Sequence, residues 1–244
     1  MKIGYCTDKG LKRPINEDAV KVMPEYSFFM LADGVGGNRA GEVASQEALN
    51  ALEDYVIHNP IEQCESSEQI FRYFENAVNY VNEVIIQLAR TAVAYAGMAT
   101  TLVFAYVTDK ILYIGNVGDS RAYLIHGNDI HQLTIDHTYV NDLVMMGAIS
   151  RKEALRHSKK NVITRAIGAN AYNTPDCFNI YIEPEDRILL CSDGLYDEVP
   201  DVIMLDKVRR ASTMQKCADD LVQIANENGG NDNISVICID LMEE

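Results

Sequence analysis

The sequence predicts an α+β fold built on antiparallel sheet, and three observations predict it. Four strand-like runs at 99–107, 111–117, 121–125 and 130–133 follow one another through very short links. A parallel pair needs a crossover of a dozen or more residues, so this run has to be antiparallel. Two adjacent amphipathic helical stretches come just before it. Four aspartates, Asp33, Asp119, Asp193 and Asp232, stand where strongly apolar runs end or begin, and a strand delivers its terminal side chain to a fixed place.

Taken in order, residues 2–7, 19–23 and 27–32 read as short strands. From Gly41 to about Val56 the apolar positions Ala44, Ala48, Leu52 and Val56 recur at helical spacing. Ser66 with Gln69 three residues on is a capping-box pattern, and Ile70, Phe74, Ala77, Val81, Ile85 and Leu88 fall on one face behind it. The strand run is punctuated by Thr108-Asp109-Lys110, Gly118-Asp119-Ser120 and Gly127-Asn128-Asp129. Residues 138–160 look helical and polar, strands return at 178–183 and 186–192, helices cover about 201–209 and 213–228, and 233–241 is a last strand. Neither a linker nor an internal repeat divides the chain, so one domain is expected over 1–244.

At 244 residues, 48% hydrophobic and 23% charged, the chain has ample material for a core. Its formal charge of −15 is unusual. That charge disfavours nucleic acid and anionic membrane as partners, because both require a basic face. Part of the excess fits metal ligands, whose charge a bound cation would offset. The six cysteines form no Cys-x2-Cys pair and mostly lie in apolar surroundings, which reads as reduced thiols in a cytoplasmic protein. MKIGYCTDKGLKRP has no apolar core of a signal peptide. The uncharged stretch from Thr91 to Thr108 is long enough to raise a membrane span, but Gly97, Thr100 and Thr101 interrupt it, and a helix end followed by a β-branched strand is the reading.

The aspartates narrow function most. Gly34, Gly118 and Gly194 adjoin three of them and let the backbone turn sharply. Asp-Gly is also a common turn dipeptide, so any one alone reads as loop chemistry. Four together, each beside an apolar run, point to a carboxylate site for a hard divalent cation, Mg²⁺ or Mn²⁺, since carboxylates so gathered repel unless a cation lies between them. Rival motifs fail on single residues. A dinucleotide fingerprint from Gly34 needs a small residue at Arg39, and a phosphate-binding loop from Gly36 needs Lys at Glu42. A tyrosine-phosphatase loop needs Arg where Cys191 leads to Asp197 and Cys6 leads to Lys12. A haloacid-dehalogenase pattern needs Asp at Val35, and the Gly229–Asn233 calcium-repeat likeness occurs once although such repeats must stack.

The remaining pieces fall into one order. They are Arg13 with Asn16-Glu17-Asp18, Ala32-Asp33-Gly34-Val35-Gly36-Gly37 through Gly41-Glu42-Ala44-Ser45, Gly97–Leu102, Gly115–Ala122, Leu133-Thr134 with Asp136-His137, Ile163–Gly168, Leu190–Leu195, and Gly230–Ile234. In this the chain resembles the metal-dependent protein phosphatases, the type 2C Ser/Thr phosphatases, and looks like their compact bacterial branch. The resemblance spans Arg13 to Ile234. It implies a four-layer α/β/β/α sandwich, two antiparallel sheets flanked on each side by helices.

It also implies roles. Asp33 would bridge two metals, the Gly34 carbonyl would bind one, and Asp193 and Asp232 would hold the other. Asp18, with Glu17 nearby, would orient metal-bound water from outside the ligand set. Asp119 would join Asp193 at a third, weaker site found in bacterial members. Two ions about 4 Å apart acidify a shared water for in-line attack on phosphorus, so no phosphoenzyme is needed. Arg13 suits phosphate clamping because guanidinium offers two parallel donors. Animal members carry a His two residues after the bridging Asp as general acid, and this chain has Val35. His137 as a substitute acid competes with a purely structural His beside a turn. Residues 138–160 would form a flap, where Arg151, Lys152, Arg156, Lys159 and Lys160 either make a solvated face or favour phosphopeptides. The expected function is a Mg²⁺- or Mn²⁺-dependent phosphatase of phosphoserine and phosphothreonine in proteins, a Ser/Thr kinase and its substrates being the natural partners. The alternatives are a catalytically silent phosphatase-like binding or sensor protein, and a small-molecule phosphate hydrolase.

Overall fold

The computed structural model describes residues 1–35, 40–171 and 173–242; the readings that used Gly36, Gly37, Asn38 and Arg39 lie outside them. The first third holds β1 (Lys2–Asp8), β2 (Asp18–Met23), β3 (Phe28–Val35), α1 (Gly41–His58) and α2 (Ser67–Ala89). β4 (Ala99–Thr100), β5 (Leu102–Val107), β6 (Ile111–Val117), β7 (Arg121–His126) and β8 (Asp129–Gln132) follow. The rest is α3 (Tyr139–Met145), α4 (Arg151–Ala154), β9 (Asp176–Tyr181), β10 (Arg187–Cys191), α5 (Asp193–Tyr196), α6 (Asp201–Arg210), α7 (Met214–Asn228) and β11 (Ile234–Asp240).

Two sheets form, ordered β1-β11-β10-β7-β8 and β2-β3-β5-β6-β9, with β4 added against β3. Every pairing is antiparallel. The layering follows from the period-2 alternation of strand side chains. Along β3, Phe28, Met30 and Ala32 pack with the α1 and α2 residues Leu49, Leu52, Phe74 and Val81. The alternate residues Phe29 and Leu31 meet Leu124, Leu190 and Ile237 of the other sheet. On β11, Val236 and Cys238 pack with Met204, Leu221 and Val222 of α6 and α7. Both faces of each central strand are therefore buried, which is why those strands read as unbroken apolar runs. The result is helices, sheet, sheet, helices.

The structure alters the sequence reading in four places. The four-strand run is shared between the sheets, β5 and β6 in one and β7 and β8 in the other, so the chain crosses over at Gly118-Asp119-Ser120. The run 99–107 breaks at Thr101, whose amide donates to the Asp33 carbonyl at 2.8 Å. Only α3 and α4 of 138–160 are helical, α4 opening on a capping box between Ser150 and Glu153. The strand expected at 178–183 lies at Asp176–Tyr181. Among the described residues no helix is long and apolar enough to cross a membrane, and Thr91–Thr108 holds β4 and β5. All six cysteines are free thiols.

Candidate metal centre

Asp18 and Asp33 begin the site by register: they are directly opposed across β2 and β3. The Asp33 backbone is clamped from β4 and the residue beyond it, its amide donating to Thr101 Oγ1 at 2.9 Å and its carbonyl accepting from Thr100 Oγ1 at 2.8 Å. Gly34 must be glycine there. A Cβ would stand 2.3 Å from the Gly41 carbonyl oxygen and 2.7 Å from that of Glu17, so α1 and the Glu17 segment close on β3 at this point.

Asp193 is not the last residue of a strand, as the sequence reading had it, but the first of α5, and Asp232 lies two residues before β11. α5 presses on the start of β11 at Gly194, where a Cβ would meet the Asn233 carbonyl oxygen at 2.0 Å. This contact brings Asp193 beside Asp232. Asp119 comes from the sheet-to-sheet link and is buried.

Electrostatics shows the five carboxylates as one group. Asp33 is held well above the usual carboxylate range by burial first, then by Asp18, Asp193, Asp119 and Asp232. Asp193 is likewise pushed well up by burial, with Asp119, Asp232 and Asp18 adding to it. Burial, followed by nearby Asp136, raises Asp119 to about 7. Burial raises Asp18 to about 6 against the bonds from Ser235 and Ser192, the latter's hydroxyl donating to Asp18 Oδ2 at 2.7 Å. Glu17 is raised by burial and by Glu42. Such shifts mark carboxylates gathered without compensating charge.

The donor set fits a hard divalent cation. Among the described residues five buried side-chain oxygens lack any hydrogen-bond partner, and three of them are carboxylate oxygens here: Asp18 Oδ1, Asp119 Oδ1 and Asp193 Oδ1. A buried carboxylate oxygen left unpaired is costly, and an oxygen-seeking cation removes that cost. Among the described residues no three acidic, imidazole or thiol side chains close into a finished cage. Like charges repel, and Asp232 is engaged elsewhere, its Oδ2 accepting from Arg13 at 2.6 Å. Arg13 also stands in the field of Asp193 and Glu17. It is thus at the cluster, half-exposed, with its fork at the rim.

His137 has no free nitrogen to offer a leaving group. Nδ1 accepts the Gly118 amide at 2.9 Å, and Nε2 faces Asp176 at 3.1 Å with Arg165 alongside. It anchors the link that carries Asp119. The basic residues of 138–160 divide: Arg151 and Lys160 line a cleft of about 510 Å³ that ends at Asp119 and Asp193, while Lys152 and Arg156 are exposed outside it. Lys160 pairs with Asp197 at 2.7 Å.

Sequence reasoning gave no role to Asn233, Ser192 or Tyr196. Asn233 makes three bonds to the β1–β2 connection, accepting from the Glu17 amide at 2.8 Å and donating to the Lys9 and Ile15 carbonyls at 2.8 and 2.9 Å. Ser192 accepts from the Ser235 amide at 3.0 Å while it holds Asp18. Tyr196 donates to the Asp119 carbonyl at 3.0 Å. Their partners are remote in the chain, and no local pattern announces them.

Comparison with known proteins places the chain in a family and a fold. The family profile described as Protein phosphatase 2C matches residues 12–236. The chain is 36% identical over 243 residues to the serine/threonine phosphatase stp of Listeria welshimeri, covering 98% of this chain and 96% of that one. Among solved structures, the serine/threonine phosphatase Stp1 from Staphylococcus aureus superposes with a TM-score of 0.90 at 34% identity, over 100% of this chain and 96% of that one. The catalytic domain of the serine/threonine protein phosphatase PstP, solved in complex with two manganese ions, gives 0.85 at 31% identity, over 99% and 98%.

Proposed function

The chain belongs to the protein phosphatase 2C family and is a metal-dependent protein serine/threonine phosphatase, and we propose that its five-aspartate cluster is the catalytic centre. The observation that carries this reading is the trio of buried, unpartnered carboxylate oxygens on Asp18, Asp119 and Asp193 around Asp33. When bound, Mn²⁺ or Mg²⁺ supplies Lewis acidity toward the phosphoryl oxygens and acidifies water for attack on phosphorus.

The chain's own residues do the rest. Asp33, with the Gly34 carbonyl, Asp193 and Asp232 would hold two tight ions, and Asp119 would join Asp193 at a weaker third. Asp18, fixed by Ser192, accepts a hydrogen bond from the attacking water and orients it, with Glu17 beside it. Arg13 turns its fork to the phosphoryl group. Its bond to Asp232 is solvent-accessible, so exchanging that partner for phosphate costs little. Val35 offers no proton, and His137 is engaged at both nitrogens, so neither protonates the leaving oxygen; water in the centre or another residue would supply that proton. Residues 138–160 act as a flap on a single catalytic domain of 1–244, with Arg151 and Lys160 favouring phosphopeptides in the cleft. Phosphoproteins of a cytoplasmic Ser/Thr kinase pathway are the substrates we expect; nucleic acid is not a partner.

Turnover of a phosphothreonine peptide tests the reading, with Mn²⁺ against a chelated control. Activity that appears with Mn²⁺ and disappears with chelator is expected. A chain that binds the peptide but never turns it over is a silent sensor, and one that hydrolyses only small phosphate esters is the small-molecule enzyme.

A further inference from the structure

Asp119 and Asp193 come from separate elements, the link between the sheets and the first residue of α5. Both are withdrawn from water, and like charges in that setting push their carriers apart. A direct side-chain tie opposes that push. Tyr196, at the other end of α5, donates its hydroxyl to the Asp119 carbonyl oxygen at 3.0 Å. The ring itself is held: the Arg121 guanidinium carbon lies 3.5 Å from its centroid. Arg121 is in turn locked, donating to the two Asp136 oxygens at 3.0 and 2.7 Å and to the Tyr123 hydroxyl at 3.0 Å. On its other side the link is gripped by His137 at Gly118. With both ends of its backbone fixed, Asp119 presents a carboxylate oxygen that meets no protein donor.

We propose that Tyr196 is a positioning residue that sets the spacing of Asp119 and Asp193, and with it the affinity of the weaker cation site, an inference that rests on the third-site reading above. α5 is suited to the task because one short helix carries Asp193 at its start and Tyr196 at its end, so the hydroxyl measures the link directly against the second carboxylate. The cation–π contact keeps the ring from swinging into the cleft that Tyr196 lines with Asp119 and Asp193. One hydrogen bond of ordinary net strength corresponds to about 3- to 10-fold in affinity.

The test is a Mn²⁺ titration of wild type, Tyr196→Phe and Asp119→Ala, with free Mn²⁺ read by electron paramagnetic resonance. Phosphothreonine-peptide turnover is followed across the same Mn²⁺ range. Tyr196→Phe keeps the ring under Arg121, so its melting temperature should stay near that of wild type. We expect its tight sites unchanged, its weak site about 3- to 10-fold weaker, the Mn²⁺ for half-maximal turnover raised by the same factor, and kcat regained in excess Mn²⁺. A tyrosine that merely fills space would not give that split. A weak site of wild-type affinity in Tyr196→Phe, or a kcat loss that excess Mn²⁺ does not restore, overturns the proposal. If Asp119→Ala still binds the weak ion, the third-site reading fails instead; if it loses that ion while Tyr196→Phe matches wild type, only the tie fails.

Discussion

Asp232 holds two partners at once, Arg13 through Oδ2 and the Asn233 amide through Oδ1, and on the function proposed above phosphate would compete for the first. Because the Arg13 side chain is 43% exposed, the pair adds little to stability, and Arg13→Ala should leave the melting temperature nearly unchanged. Its kinetic effect should be larger: a KM raised about tenfold with a smaller fall in kcat, since the fork binds ground-state phosphate as well as the transition state. Arg13→Lys should recover little, an ammonium lacking the two parallel donors. Steady-state kinetics on a phosphothreonine peptide decides it, and an unchanged KM would return Arg13 to an ordinary surface charge. Asp193→Asn and Asp232→Asn should each lower kcat by roughly 10³-fold or more, because losing metal activation removes several kcal/mol. Near-normal kcat for both at saturating Mn²⁺ would make them turn residues. Asp33, Asp119, Asp193 and Asp232 were legible from the sequence because each adjoins an apolar run, and Asp18 only through the family resemblance; Ser192, Asn233 and Tyr196 were not, because their chemistry lies in contacts to distant segments.

Among the elements, α5 shows how much a helix of four residues can decide. It is too short to carry a period, so the sequence showed only an Asp-Gly turn after a strand. The long helices α1 and α2, by contrast, declared themselves through repeated apolar spacing, and α2 through its Ser66 cap, which the structure shows accepting the Gln69 amide. The sheet crossing at Gly118 was hidden for another reason: strand pairing partners are not encoded in alternation, which fixes faces only. The packing of α5 on β11 gives a sharp comparison between two glycines. Gly194→Ala puts a methyl into the Asn233 carbonyl at 2.0 Å, so α5 must move and take Asp193 from Asp232. Overpacking of this kind costs about 2–3 kcal/mol, roughly 4–12 °C in Tm at this chain length, and should lower turnover as well. Gly127→Ala, at φ +56 in the β7–β8 turn with nothing within 4 Å, meets only the left-handed strain of about 1–2 kcal/mol and should keep full activity. Equal loss of activity in the two variants would mean that α5 placement does not govern the site.

On the scale of the whole molecule, a formal charge of −15 and a buried knot of carboxylates make the metal-free protein sensitive to pH in an uncommon direction. The charge and the gathering of the aspartates were visible in the sequence; which strand ends bring them together, with Asp18 directly opposite Asp33, became visible only with the topology. Asp18 and Asp119 are raised to about 6 and about 7, and Asp33 and Asp193 well above their ordinary range, chiefly by burial. A folded-state pKa above the unfolded one means that the folded chain binds more protons between the two values, so stability is lost as pH rises through that window. Below about pH 4 this penalty is absent; above about pH 7 Asp18 and Asp119 impose it in full. A divalent cation reverses it by pairing with the ionised forms, and binding must release protons. Melting curves in chelator and in Mn²⁺ should therefore diverge with pH. In chelator the contribution of these acids lowers Tm from pH 5 to pH 8, and the increment given by Mn²⁺ should be several-fold larger at pH 8 than at pH 5. The difference between the two conditions isolates the cluster, because His126, raised by its hydrogen bond with Asp186 and outside the cluster, responds alike in both. An increment that is the same at both pH values would mean that the buried carboxylates are not what the metal binds.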